Sequence, residues 1–160
     1  QQTEHVAYLH ASRLVMALHI YHVLAFKVDQ TAMIAHHIVM MAILCIPFIN
    51  HGNNMFIMFC NYSLFFLCGL PGCIDYYCMH LCYSKRMKRL DEKSINTWLN
   101  TWVRAPGILY AAFFVYRQHM NGMLDLFYTA AVVITFVWNA QFWSSATSIS
   151  YGYNLAKDHT

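Results

Sequence analysis

Seventeen consecutive residues without a formal charge, Ala32 to Phe48 (AMIAHHIVMMAILCIPF), constrain this chain more than any other feature. As a helix rising about 1.5 Å per residue, the run nearly matches the ~30 Å hydrocarbon core of a bilayer. Near its start stand two adjacent histidines, His36 and His37. Hydrocarbon offers an imidazole no partner, so these two must find theirs inside the protein. They are the first candidates for chemistry.

Composition agrees with a membrane setting. Of the 160 residues, 59% are hydrophobic and only 11% charged, against about 25% charged in an ordinary soluble domain. The net charge of +3 is too small, and its cations too clustered, to argue for nucleic acid. Six cysteines lie in or beside apolar runs and form no CxxC pair; they read as small buried hydrophobes rather than zinc ligands or a redox motif. Val6 to Phe26 is too long and too polar for the core of a signal peptide. The start at Gln1 rather than Met reads as a removed presequence or a fragment and points to mitochondrial import, so the expected location is the mitochondrial inner membrane, with the endoplasmic reticulum as the alternative.

Apolar run lengths predict an all-α fold, a polytopic bundle of about five membrane-crossing helices in a single transmembrane domain over 1–160. The spans are Val6–Phe26, Ala32–Phe48, Met55–Tyr83, Thr97–Tyr116 and Met123 to about Ile149. The third is long, and Gly69-Leu-Pro-Gly72 within it predicts a kink at Gly69–Pro71. Ser84 to Ser94 (SKRMKRLDEKS) reads as a charged loop, Arg117 to Gly122 as a turn and Ala156–Thr160 as a polar tail. This layout gathers Lys27, Lys85, Arg86, Lys88, Arg89, Lys93 and Lys157 on one side and leaves Arg117 on the other. The positive-inside rule makes the basic side cytoplasmic or its organellar equivalent.

Helical rise then brings polar residues to one depth. Measured from the basic face, His22, His36 and His37 lie roughly 6–8 Å deep, and His19, Arg104 and Asp75 roughly 10–12 Å. Asn139 and Gln141 fall in the same half. An Asp75–Arg104 interaction, direct or through one water, is expected because either charge alone is costly in lipid. Adjacent helical positions diverge by about 100°, so one of His36 and His37 should face an interior cavity beside Tyr21 or His22. Each feature also has a plainer structural account, such as His19 and His22 bonding backbone carbonyls.

The order Tyr21-His22, Phe26-Lys27, Asp29, Met33, His36-His37 resembles the TLC-domain family, which contains ceramide synthases and lipid-sensing relatives. Gly69-Leu-Pro-Gly72 with Asp75-Tyr76, then Asn96, Arg104-Ala-Pro-Gly107 and Tyr110, is similar to the later part of that domain, so the resemblance covers about residues 20 to 145. It implies a helical bundle around a lipid-accepting tunnel. In ceramide synthases the paired histidines serve acyl transfer together with two aspartates on the next helix. Here the histidines match, but the corresponding stretch, Phe59-Cys-Asn-Tyr-Ser63, has no carboxylate. A histidine base normally needs such a group to fix its tautomer and its charge. Only Asp75 or neutral partners such as Tyr21, Asn61 and Ser63 remain.

Three readings follow. The first is a lipid-binding, non-catalytic accessory subunit of a larger membrane complex. Its cavity is lined by Tyr21, His22, Asn61, Ser63, Asp75 and Arg104; its partners are membrane lipids and other membrane protein subunits, and its only expected bound group is lipid. The second is an N-acyltransferase or related lipid-modifying enzyme with His36 and His37 as catalytic residues. The third is a haem or metal protein, for which His22 and His36 could face each other across two helices. The missing aspartates favour the first.

Overall fold

The computed structural model describes residues 13–21, 23, 24, 34, 37–39, 42, 59 and 61–158. Every regular element among them is helical and none is a strand. The chain divides into two compact units, Gln1–Leu64 and Phe65–Thr160. Most of the first two expected spans lies outside the described residues, though 13–21 are helical.

The second unit runs as a π segment (Phe65–Gly69), α1 (Leu70–Tyr83), α2 (Arg89–Leu99), a second π segment (Asn100–Arg104), α3 (Ala105–Met120) and α4 (Leu126–Asp158). Both π segments sit immediately before an X-Pro-Gly triplet, Leu70-Pro71-Gly72 and Ala105-Pro106-Gly107. Proline has no N–H and cannot donate to the preceding turn, and a wider turn is one way a helix absorbs that loss. The expected interruption at Gly69–Pro71 is therefore a change of helical type within a continuous helix, beginning four residues earlier at Phe65.

Three boundaries differ from the sequence reading. The charged loop is only 84–88, because α2 begins at Arg89, with Asp91 and Glu92 in its first turn, where the helix dipole favours anions. The turn expected at 117–122 lies at 121–125, and the expected polar tail is helical through Asp158.

Both chain reversals close in the same way. After α1, Lys85 N–H donates to Cys82 O at 3.1 Å and Arg86 N–H to Leu81 O at 2.9 Å. After α3, Gly122 N–H donates to His119 O at 2.8 Å and Met123 N–H to Gln118 O at 3.0 Å. This is the Schellman arrangement, which needs a left-handed residue at its turn. Gly122 takes it with φ 72°, and Lys85, a residue with a β-carbon, with φ 58°. His119 Nδ1 also lies 2.8 Å from Leu124 O across the second reversal. Asp125 Oδ1 caps α4 by accepting Tyr128 N–H at 2.8 Å.

The core of this unit lies where α3 packs on α4, with α2 against the same helix. On α3 the buried stripe is Gly107, Ile108, Ala111, Ala112 and Val115; on α4 it is Thr129, Val132, Thr135, Phe136, Asn139 and Ala140. Small residues let two backbones approach closely, as in helices packed within a bilayer. Gly107 also faces the first π segment, where a β-carbon on it would collide with the ring of Phe66.

Large apolar side chains point outward. Phe127 is 87% exposed, Ile134 68% and Trp102 68%, while Glu92 and Asn139 are at 0%. Among the described residues two helices, Asn61–Tyr83 and Leu126–Asp158, are long and apolar enough to cross a membrane by length and composition.

Candidate functional site

Asn96, Asn100 and Arg104 recur every four residues, a spacing that lines one face of a helix. The structure turns that face toward Asp75 on α1. Arg104 Nη1 donates to Asn100 Oδ1 at 3.2 Å. Asn100 Nδ2 donates to Asn96 Oδ1 at 2.6 Å and to Asn96 O at 2.9 Å. Asn96 Nδ2 donates to Asp75 Oδ1 at 2.7 Å. A guanidinium and a carboxylate are thus joined by two amides, every donor directed from the cation toward the anion. Arg104 and Asp75 were expected to meet directly or through one water; the structure joins them through two asparagine side chains instead.

A neighbouring stripe fastens the same stretch to α4. Thr97 Oγ1 donates to Thr147 O at 3.0 Å, and Thr101 Oγ1 lies 3.2 Å from Ser144 Oγ. The Arg104 guanidinium carbon stands 5.2 Å from the centre of the Trp143 ring, within cation–π range. The row is therefore held on three sides, by α1, α4 and its own helix. Asn100, at its middle, is 4% exposed.

The row is suited to dispersing charge: its two amides neither take up nor release protons near neutral pH. Opposite charges linked through polarised amides can stay in an apolar bundle at lower cost than either alone.

The histidines belong to the other unit. His37 is buried, and its ring meets that of His19 edge-on, with centroids 5.2 Å apart. His19 Nδ1 lies 2.8 Å from Val15 O, the plainer backbone contact considered for this helix. His37 has His19 beside it; of the two neighbours expected in a cavity, Tyr21 is 57% exposed. His22 and His36 lie outside the described residues, so the divergence of the adjacent pair does too. Ser63 is buried and donates to Phe59 O at 2.9 Å, a bond within its own helix. Asn61 is half-buried; Asn139 is buried, whereas Gln141 is exposed.

Asn96 and Asn100 are the site residues the sequence reading missed, although their four-residue spacing with Arg104 was the signal that could have found them. Among the described residues no group of three or more histidine, cysteine or acidic side chains is placed to hold a metal ion.

No protein-family model, curated protein or solved structure matches this chain.

Proposed function

We propose that this chain is a polytopic helical membrane protein. More particularly, we read it as a TLC-like, lipid-holding accessory subunit with no turnover of its own. The observation that carries this is the inverted distribution of side chains in the second unit. Glu92, Asn100, Thr129, Thr135 and Asn139 are buried, while Phe127, Ile134, Trp98 and Trp102 are exposed. Water would make that arrangement costly, and lipid makes it favourable.

Helix lengths support it. Asn61–Tyr83 is 23 residues, close to one crossing of about 20. Leu126–Asp158 is 33 residues, about 50 Å of helix, so its polar last turns stand clear of a hydrocarbon core. About three to four turns before its end, α4 meets Thr97 of α2 and Thr101 of the second π segment through Thr147 and Ser144, and α2 begins beside the basic 84–88 loop. The loop and the end of α4 then share the basic side, as the five-span layout requires. Of its five spans the last two fall in the second unit, the third (Met55–Tyr83) runs from the first unit into the second, and the first two fall in the first unit.

The amide-bridged row supports a structural rather than a catalytic use of the polar residues. The test is mass spectrometry of the lipids and proteins that co-purify in mild detergent. Stoichiometric lipid together with defined membrane partners is the expected result. The purified chain acylating a lipid amine, with loss of activity in His37→Ala, would replace this reading with the acyltransferase one.

A further inference from the structure

Four cations, Lys85, Arg86, Lys88 and Arg89, follow directly on the membrane-length helix Asn61–Tyr83, and all four are exposed. Their environment divides them. Glu92, at 0% exposure, lies with Oε2 3.5 Å from Arg89 Nε and with Oε1 3.3 Å from Lys93 Nζ. Arg89 and Lys93 therefore share one buried carboxylate, which offsets one of their two charges. Lys85, Arg86 and Lys88 make no ion pair among the described residues.

These three do not hang on a loose loop. The Schellman bonds from Lys85 N–H and Arg86 N–H tie the backbone to α1, and Ser84 Oγ donates to Leu81 O at 3.1 Å. Cys82 Sγ lies 3.7 Å from Lys88 O. At the left-handed position, where glycine would be free of strain, the chain carries a lysine. Below the loop are exposed aromatics on both flanking helices: Tyr76, Tyr77 and Tyr83 on α1 and Trp98 on α2. Tyrosine and tryptophan favour the level where hydrocarbon meets headgroups. Tyr83, directly beside the loop, takes that level, and the three cations that follow it stand at the headgroups.

We propose that Lys85, Arg86 and Lys88 form a pre-shaped cationic platform that binds the anionic headgroups of the adjoining leaflet. The inference rests on the membrane-spanning reading above. A rigid platform concentrates anionic lipid beside α1 without paying the ordering entropy of a flexible basic tail.

The test uses the full chain reconstituted in phosphatidylcholine vesicles containing roughly one quarter phosphatidylserine. Spin-labelled phosphatidylserine and phosphatidylcholine report which lipid is retained at the protein surface. The expected result is a preference for phosphatidylserine that weakens with added salt. It should fall about fivefold for each cation removed in the series K85Q, R86Q, K88Q. Lys93→Gln, at a less exposed cation that faces Glu92, should lower the preference less than any one of the three. A triple variant that keeps the full preference overturns the proposal, as does an intact chain that shows none. Equal competition by soluble inorganic phosphate would make this a free-anion site and also overturn it. Extraction by alkaline carbonate separates the two levels: a chain that washes off refutes the membrane reading itself, whereas an integral chain without lipid preference refutes only the platform.

Discussion

The two π–X-Pro-Gly junctions are near copies in sequence and opposites in surroundings. Each has five π-helical residues followed by Pro71-Gly72 or Pro106-Gly107. Around a β-carbon placed on Gly72 there is nothing within 4 Å, whereas one on Gly107 runs into the ring of Phe66, which belongs to the other junction. The π residues differ as well: Phe-Phe-Leu-Cys-Gly in the first is apolar, and Asn-Thr-Trp-Val-Arg in the second holds the polar row. The proline accounts for the local helix in both places. What each junction is for depends on what the rest of the chain brings against it.

The largest effect should come from adding one methyl group to each glycine. Gly107→Ala must displace Phe66 near the base of its side chain, and should destabilise by about 2–3 kcal/mol, as overpacked sites do. Gly72→Ala, in open space within a helix, should stabilise by roughly 0.5–1 kcal/mol. Thermal unfolding in detergent micelles measures both. Equal responses would remove the distinction between the junctions, and Phe66→Ala should recover part of the loss at Gly107 if the contact is its cause.

Next in size is the polar row, which only the second junction carries. Asn100→Ala leaves Arg104 Nη1 without its acceptor and Asn96 Oδ1 without its donor, at an expected cost of about 1–3 kcal/mol. Asn61→Ala, in a residue outside the row, should cost less. A neutral Asn100→Ala would mean that water or lipid serves Arg104 as well as the asparagine does.

The two helix ends offer the same contrast on a smaller scale. Gly122→Ala should destabilise by about 1–2 kcal/mol, because a β-carbon is unfavourable in the left-handed region. Lys85→Gly should stabilise by up to about 1 kcal/mol at the equivalent position, while reducing the preference for anionic lipid. A gain in stability coupled to a loss of lipid selectivity would mark Lys85 as kept for its charge.

Smallest is the cap of α4. Asp125→Ala removes the acceptor for Tyr128 N–H and should cost about 1 kcal/mol, less where the helix end frays, as read by amide hydrogen exchange over the first turn.

Much of this molecule is settled by nearest neighbours along the chain. Apolar runs without charge make helices whose backbone bonds close internally, and Pro-Gly and Asn-Gly mark where they change type or end. Asp75 and Arg104 could be singled out from sequence because a charge in an apolar run needs an answer wherever it lies. The form of the answer was not local. The amides of Asn96 and Asn100 look like ordinary helix-surface residues until α1 packs beside them. Glu92 reads as one more charge in a solvated loop, yet it is fully buried beneath Arg89 and Lys93. His37 meets His19, which stands two residues from the exposed Tyr21 at nearly the same depth but about 200° from it around the helix, so depth alone could not choose its neighbour. Local hydrogen bonding and hydropathy decide which residues are helical and which must be satisfied. Contacts between residues far apart in the chain decide by whom, because those depend on helix rotation and close approach, which only the packed structure specifies.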